Sequence, residues 1–283
     1  MPQKQESASE DSTSLVNGII SIFEELRMPY LTEPKIYLGM PIPTLKQFHE
    51  ALTAQHTEDG EKRYRNRLKY AGVTKERAEQ TFKWDDDTYP MARPGSIEEA
   101  LSTAFVREHK NLVVIGPPGA GKSLLVTIAV CKAIRNDFSA KYKTAHAIAT
   151  GLCEARAGNS LSGYIKTLSS CDVLAIDDLP FASFSAEGAQ ALFSIIDARY
   201  ERKSTIITSN HSFGEWFAEL PDKSMATALV GRIAQDAIIV NMNGAKDMRL
   251  KHAAEMLGIA AETSRGKPEG GLFGFDSAGN GGG

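Results

Sequence analysis

The sequence predicts an α/β protein in which a small helical region precedes a domain with a central parallel sheet. From about residue 94, short apolar runs alternate with helical patterns, which is typical of parallel strands covered by helices on both faces. Before that point, apolar residues recur at the spacing of amphipathic helices. A stretch rich in acidic residues, proline and glycine at 81–95 separates the two patterns, and we place the domain boundary near Arg93.

The composition restricts the class of protein before any motif is considered. Of the 283 residues, 42% are hydrophobic and 24% are charged, as in globular domains. The 32 basic and 35 acidic residues leave a net charge of −3, which excludes a uniformly basic nucleic-acid coat but not a local basic patch. The polar first fourteen residues, and the lack of an apolar run of about 20 residues, predict a cytoplasmic protein with no membrane partner.

The three cysteines are Cys131, Cys153 and Cys171, and none of them forms a CxxC pair. An odd and widely spaced set is typical of small buried hydrophobic residues in a reducing compartment, and disfavours a disulfide framework or a zinc site.

Three helices and a connector are predicted before the boundary, after a disordered tail over residues 1–14. The first helix is indicated by the spacing of Leu15, Ile19, Ile22 and Leu26. It is closed by Pro29, and a proline-rich connector follows it. A second helix is expected from Thr44 to about residue 56, a break at residues 59–60, and a third helix over 61–70. Residues 15–93 are thus expected to form a helical domain that binds DNA or a partner.

The following domain is expected to span residues 94–262. Ser96 and Glu99 have the spacing of a capping box, which predicts a helix beginning there. In chain order, we then expect a strand at 112–115, a helix at 122–135, strands at 141–148 and 172–176, a helix at 187–202, and strands at 204–208 and 237–240. The glycine-rich residues 263–283 are predicted to be a disordered tail.

A phosphate-binding loop is the most specific motif in the chain. The segment GPPGAGKS at 116–123 fits G-x-x-x-x-G-K-[ST], in which glycines let backbone N–H groups face phosphate oxygens. Lys122 would reach the β- and γ-phosphates, and the Ser123 hydroxyl would bind Mg²⁺. An incidental glycine turn is disfavoured, because the motif follows an apolar strand and opens a helix. The predicted residues binding ATP are Gly116, Pro117, Pro118, Gly119, Ala120, Gly121, Lys122, Ser123 and Leu124.

Polar residues at the ends of two later strands are candidates for the chemistry. The apolar strand VLAI ends in two carboxylates, of which Asp177 would bind Mg²⁺ and Asp178 would act as general base for the attacking water. Asn210 follows the next strand and could orient that water. Each of these residues could instead be an ordinary strand-end turn residue. Arg232, on a short apolar helix, is a further candidate, with a solvated surface arginine as the alternative.

A basic cluster on the third predicted helix is a candidate for binding DNA phosphates. Its members are Lys62, Arg63, Arg65, Arg67 and Lys69. Helical geometry places Tyr64, Leu68 and Ala71 toward the core and the five charges outside. A solvated helix surface is the alternative interpretation. DNA contact is favoured because the charges are not interspersed with acidic residues, as they would be in a ladder of ion pairs along a helix.

Residues 111–250 closely resemble the IstB/DnaC group of AAA+ ATPases, the transposition helpers and replicative-helicase loaders. The resemblance rests on GPPGAGKS, VLAIDDL, DARYERKSTIITSN, FGEW and LVGRI. The segment RYER-x-STIITSN, followed by F-x-EW, points to the IstB side, and a weaker likeness extends over residues 61–89. The family usually has glycine where this chain has Pro180. The resemblance implies the three-layer P-loop AAA+ fold, here without a helical lid.

The resemblance also assigns roles by position. Asn210 matches the sensor asparagine, and Arg232 matches the arginine finger that completes the nucleotide site of a neighbouring subunit. Arg199 and Arg202 are competitors for the finger role. A finger acting in trans makes hydrolysis depend on assembly, so the resemblance implies an ATP-dependent homo-oligomer. Arg249 is the candidate for a second-sensor arginine.

The function favoured by these observations is that of a DNA-dependent ATPase that assembles on duplex DNA with ATP and Mg²⁺ and assists the transposase of the same element. The alternative is a DnaC-like loader, in which residues 15–56 would grip a replicative helicase. A small-molecule kinase is disfavoured, because the sequence shows no acceptor pocket. A protein that only binds nucleotide is disfavoured, because it would leave Asp178 without a task.

Overall fold

The computed structural model describes residues 3–82, 84, 88–180, 184–220 and 222–245, and the side chains from residue 12 onward within these ranges. Its centre is a five-stranded parallel sheet of order β2-β3-β4-β1-β5. The strands are β1 (Leu112–Ile115), β2 (Ala140–Thr144), β3 (Val173–Asp177), β4 (Ser204–Ser209) and β5 (Ile238–Asn241). The predicted parallel sheet is confirmed.

Helices cover both faces of the sheet and extend before it. They are α1 (Gln3–Glu25), α2 (Ile42–Ala71), α3 (Lys75–Ala78), α4 (Ser96–Leu101), α5 (Ala104–Arg107), α6 (Lys122–Arg135), α7 (Ala145–Ala157), α8 (Leu161–Ser170), α9 (Ala186–Arg199), α10 (Phe213–Glu219) and α11 (Lys223–Ala234). Short 3₁₀ turns lie at Pro29–Thr32 and Pro34–Ile36. Among these residues, no helix is long and apolar enough to cross a membrane.

Alternate side chains of β1 enter two separate hydrophobic clusters, one on each face of the sheet. Leu112 and Val114 pack with α4 and α6, whereas Val113 and Ile115 pack with α7, α9 and α11. This arrangement follows from the two-residue period of a strand, and it explains why β1 is apolar throughout. The result is the predicted three-layer α/β/α domain.

The register of the strands brings three predicted site segments to one edge of the sheet. Ile115 pairs with Ser209 of β4, and Ile176 of β3 pairs with Ile207. The segments that follow β1, β3 and β4 therefore meet at the carboxyl ends of these strands. This is where ligands bind in open parallel sheets.

The amino-terminal helices differ from the prediction in two respects. Helix α1 begins at Gln3, so the predicted disordered tail over residues 1–14 is corrected from residue 3 onward. Helix α2 runs without interruption through Asp59 and Gly60, where a break was expected. In both places an established helix extends through residues of modest propensity, because adding a residue to a helix costs far less than nucleating one. Helix α2 ends instead at Gly72, whose φ of +85° suits only glycine well.

Hydrophobic packing divides within α2 and not at Arg93. The first half of α2 packs on α1 through a small cluster that includes Ile19, Phe23 and Leu45. Leu68 and Ala71, near the end of α2, belong to the large cluster that contains β1 and α6. The segment after α2 is thus part of the core of the α/β domain, although it lies before the predicted boundary.

Other element boundaries shift for local reasons. The predicted capping box is not formed, because the Ser96 hydroxyl donates to the Arg93 carbonyl and the Glu99 carboxylate pairs with the Arg93 side chain. The strand predicted over 141–148 ends at Thr144, whose hydroxyl accepts from the Ala147 N–H and starts α7. Cys131 and Cys171 are buried as expected, but Cys153 is exposed, which contradicts its prediction.

Candidate functional site

The loop between β1 and α6 has the shape predicted for phosphate binding. Gly119 and Gly121 have φ values of +83° and +89°, a region that residues with side chains rarely adopt. A side chain at Gly116 would lie 2.8 Å from the Met242 Cβ atom, so close backbone packing also requires glycine there. Helix α6 begins directly at Lys122, so the positive end of its dipole faces the loop.

The Lys122 side chain is buried beside the loop. Its Nζ donates to the Gly116 and Pro117 carbonyls at 2.8 and 2.9 Å, and to Asn210 Oδ1 at 2.6 Å. The ammonium is therefore held between the loop and the end of β4. A phosphate group in this loop would meet a cation that is already oriented.

Asp177, at the end of β3, accepts hydrogen bonds on both carboxylate oxygens. Ser123 Oγ and Thr208 Oγ1 donate to Oδ1 at 3.0 and 2.6 Å, and the Tyr142 hydroxyl donates to Oδ2 at 2.6 Å. Burial raises the pKa of Tyr142 far above its ordinary value, and the neighbouring carboxylate acts in the same direction. Tyr142 therefore remains protonated and acts as a donor.

Asp178 and Asn210 form a second polar pair at the mouth of the site. Asp178 has a left-handed backbone (φ +54°), and its N–H donates to Thr208 Oγ1 at 2.7 Å. Asn210 Nδ2 donates to Asp178 Oδ1 at 3.1 Å while its Oδ1 accepts from Lys122. Asn210 thus links the lysine of the phosphate loop with the candidate general base.

A cavity of about 980 Å³ contains these groups. Its lining includes Pro118, Gly119, Gly121, Lys122, Ser123, Leu124, Asp177, Asp178, Thr208 and Asn210. Most of the predicted nucleotide-binding and strand-end residues are thus brought together, and Gly116, Pro117 and Ala120 complete the loop beside them. Arg77, Gln80 and Thr81 also line this cavity, a position that no sequence pattern indicated.

Arg232 does not line the cavity of its own subunit. Its Nε atom lies 2.7 Å from Asp197 Oδ1 on α9, and its guanidinium lies 5.0 Å from the centre of the Phe193 ring. The ion pair is partly exposed, and such pairs contribute about 0–1 kcal/mol; Nη1 also donates to the Ala228 carbonyl at 3.1 Å. This position agrees with a role outside its own subunit's site and excludes direct contact in this conformation with a nucleotide in the same subunit.

The two competitors for the finger role are separated by burial. Arg199 is 1% exposed and donates to the Leu168, Cys171 and Ser204 carbonyls, among others. It joins the end of α8 to β3 and β4, so its role is structural and the finger role is excluded for it. Arg202 is exposed and retains the freedom that a finger needs.

The basic cluster lies on one continuous helix, α2, and all five of its side chains are exposed. Tyr64, Leu68 and Ala71 face inward as predicted. Arg67 pairs with Asp137 at 2.6 Å, and within the described ranges no other member of the cluster forms an ion pair. Arg249, the candidate second-sensor residue, lies outside the described residues, as do the predicted tail over 263–283 and the end of the predicted lidless domain.

Thr208 and Tyr142 are the polar partners that sequence reasoning missed. Thr208 could have been found from the strand register, because it precedes Ser209 and Asn210 on the strand next to Asp177. Tyr142 had a weaker signal. It is an inward-facing residue in the alternating segment AKYKT of edge strand β2, where a hydrophobic role was equally compatible.

Comparisons with known proteins agree with this geometry. The family model described as IstB-like ATP binding protein matches residues 44–256. The insertion sequence IS5376 ATP-binding protein of Geobacillus stearothermophilus is 32% identical over 161 residues, which are 57% of this chain and 64% of that protein. An insertion sequence ATP-binding protein of Sinorhizobium fredii is 32% identical over 183 residues, which are 64% of this chain and 59% of that protein. These matches span less than two thirds of the relatives' length.

A solved structure shows the same fold. The crystal structure of DnaI superimposes with a TM-score of 0.51 at 20% sequence identity, and covers 60% of this chain and 94% of that chain. The phosphate loop, the carboxylates after β3 and the match over residues 44–256 together show that the chain belongs to the IstB-like ATP-binding proteins, with the P-loop AAA+ fold.

Proposed function

We propose that this protein hydrolyses ATP in a site shared between subunits that assemble on duplex DNA, and that it thereby assists the transposase of the same element. The observation that carries the proposal is the separation of two groups. The cavity contains the loop lysine, both strand-end carboxylates and the sensor asparagine, whereas Arg232 lies outside it on another surface. The names of the relatives refer to insertion sequences and to ATP binding, which supports the nucleotide and the context.

The donor set beside the phosphate loop suits magnesium. Ser123 Oγ and Asp177 Oδ1 are 3.0 Å apart, and both are hard oxygen ligands. Magnesium bound with ATP uses one or two such protein ligands in addition to phosphate oxygens and water. These two residues would hold Mg²⁺, which would neutralise charge on the β- and γ-phosphates.

The remaining residues have separable tasks in hydrolysis. Lys122 binds the terminal phosphates, and Asp178 accepts the proton of the attacking water. Asn210, which bonds both Lys122 and Asp178, holds the geometry between the phosphate and the base. Arg232 of a neighbouring subunit neutralises charge that develops on the transferred phosphoryl group. Such a finger contributes about 10³–10⁵ to the rate.

The DNA contact is assigned to the basic cluster on α2. Five exposed cations lie on two adjoining outer faces of α2 without acidic residues among them, and only Arg67 has an ion-pair partner within the described part of the chain. If all five bind phosphates, counterion release gives a salt slope of about −4.5, or roughly a 500-fold loss of affinity between 50 and 200 mM salt. Binding of the cluster to a duplex would line subunits up so that each finger meets the next site.

The decisive experiment uses two inactive variants. We expect Arg232→Ala to bind ATP as the parent does and to lose at least about 10³ in turnover. We expect Lys122→Ala to lose nucleotide binding but to keep its finger. Mixing the two on duplex DNA should restore turnover, because the intact site of one variant meets the intact finger of the other. Arg202→Ala tests the remaining competitor for the finger role, and it should turn over ATP at the parental rate if Arg232 is the finger. A mixture that stays inactive would refute the shared site.

The helicase-loader alternative has one structural observation in its favour. Tyr30 and Leu38, within the segment that this hypothesis assigns to helicase binding, are 85% and 77% exposed. A loader would form a stoichiometric complex with a replicative helicase, detectable by size-exclusion chromatography. An IstB-type helper would not, and a transposase reading frame directly upstream of its gene would support the helper function.

A further inference from the structure

Arg77 reaches the nucleotide cavity from the helical region that precedes the ATPase domain. Helix α2 ends at Gly72, and the Thr74 hydroxyl accepts the Arg77 N–H to start the short helix α3. This sharp turn folds α3 back against α6, so that Arg77 lines the cavity together with Ser123 and Asp177. Arg77 is thus six positions beyond Ala71, the last residue of the basic helix, and lines the cavity beside the phosphate loop.

The surroundings of Arg77 place it at the carboxylate end of the cavity. Its Cζ atom lies 5.6 Å from the centre of the Tyr142 ring, and the Tyr142 hydroxyl binds Asp177. In the described ranges no acidic side chain pairs with Arg77, whereas its neighbour Lys75 pairs with Glu79. The guanidinium therefore lies over the ring of Tyr142, whose hydroxyl binds the carboxylate that would hold Mg²⁺, and it lines the same cavity as Lys122.

The charged side chains that line the cavity include only two cations to meet the phosphates of a nucleotide, among the residues that the structure describes. Among the described residues they are Lys122 and Arg77 against Asp177 and Asp178, so the protein's own charges balance before any nucleotide enters. Lys122 is held at the loop by three acceptors. Arg77 has a planar set of N–H donors suited to phosphate oxygens and is exposed to the cavity.

We propose that Arg77 is a phosphate-binding residue that acts in cis, with its guanidinium donating hydrogen bonds to the terminal phosphate of ATP in the same subunit. This inference rests on the nucleotide site and goes beyond the proposed function, in which the cations come from Lys122 and from the neighbour's Arg232. Because α3 follows directly on α2, the terminal phosphate would tie the end of the basic helix to the nucleotide site. ADP, which lacks that phosphate, would leave it untied.

The test compares the affinities of the full-length chain for fluorescent ATP and ADP analogues. Arg77→Ala is expected to bind the ATP analogue about 10- to 100-fold more weakly, the loss of one charge-assisted hydrogen bond. Affinity for the ADP analogue should change less than about threefold. Lys75→Ala, two residues away and also exposed, is the matched control and should bind both nucleotides as the parent does. Arg77→Lys keeps the charge but not the planar donors, and its ATP affinity should lie between those of the parent and Arg77→Ala.

Two results would overturn the proposal. Unchanged ATP affinity in Arg77→Ala would exclude a phosphate contact, and an equal loss for ATP and ADP would exclude the terminal phosphate. If Arg77→Ala melts at a lower temperature than the parent, the ATP affinities of Arg77→Lys and Arg77→Gln are compared instead. The proposal predicts that Arg77→Lys binds ATP more tightly than Arg77→Gln, because only the lysine retains the charge. Hydrolysis and DNA stimulation are measured separately on the parent, so a failure of the proposed function does not alter this comparison.

Discussion

Replacing Tyr142 with phenylalanine removes one hydroxyl from the centre of the site and changes nothing else in shape. The hydroxyl donates to Asp177 Oδ2 at 2.6 Å, and both residues are buried. Without it, Oδ2 loses the one donor that the described residues give it, while Oδ1 keeps Ser123 and Thr208. The substitution therefore leaves this buried carboxylate oxygen without a donor among the described residues.

The size of the effect follows from the kind of bond that is lost. A hydrogen bond to a charged group contributes about 1.5–3 kcal/mol, and leaving a buried charged acceptor unsatisfied costs at least as much. We expect Tyr142→Phe to lower the free energy of unfolding of the ligand-free protein by this amount. In a domain of this size, the loss corresponds to a fall in melting temperature of about 3 to 12 °C. Saturating Mg²⁺ and ATP should reduce the difference in melting temperature between Tyr142→Phe and the parent, because Asp177 then gains a new partner.

Thermal unfolding of three proteins, with and without Mg²⁺ and ATP, provides the assay. Tyr164→Phe is the matched control, because the Tyr164 hydroxyl is buried and has no hydrogen-bond partner among the described residues. Removing an unsatisfied hydroxyl should leave the melting temperature unchanged or raise it. If Tyr142→Phe melts at the same temperature as the parent or as Tyr164→Phe, the hydrogen bond to Asp177 contributes nothing to the stability of the fold.

Three further predictions address the fold and the DNA surface. Gly60→Ala should raise the free energy of unfolding, measured in urea, by about 0.5–1 kcal/mol, because Gly60 lies inside the continuous α2 and has open space around it. A lower free energy of unfolding would instead favour the predicted break in the helix at residues 59–60. Arg199→Met should lower the free energy of unfolding by about 3 kcal/mol or more, because several buried carbonyls lose their donor. Replacing the exposed Arg202 with alanine should change the free energy of unfolding by less than about 0.5 kcal/mol, and equal effects of the two substitutions would contradict the structural role of Arg199. Replacing both Arg63 and Arg65 with alanine should reduce the salt slope of duplex binding by about 1.8, and an unchanged slope would remove these residues from the DNA contact.

The sheet and the phosphate loop were predictable from sequence because strong local signals agree there. The apolar run at 112–115 and the glycine-rich motif leave one backbone solution, and β1 and α6 have the predicted bounds. The amino-terminal helices depend on weaker local signals, so the tertiary context decides them. The polar residues at the start of α1 are helical, and α2 continues through Gly60. Polar residues and glycine lower helix propensity but do not forbid helical backbone.

The site residues that belong to a recognisable sequence motif were predictable. Those that reach the site only through the folding of distant segments were missed. Lys122, Asp177 and Asn210 follow adjacent strands, so topology alone predicts that they meet. Tyr142 and Arg77 come from an edge strand and from a turn after α2, and their approach to the site depends on packing that no local pattern encodes. Sequence also left the finger role open among Arg199, Arg202 and Arg232, and burial excludes only Arg199.

If the ATP site of one subunit is completed by the next on duplex DNA, turnover per subunit must depend on protein concentration, and its measurement over a hundredfold range of concentration tests this directly. We expect turnover to rise steeply with concentration, and duplex DNA to shift that rise to lower concentrations by gathering subunits along its length. Turnover per subunit that is the same at every concentration, with and without DNA, would exclude a site shared between subunits.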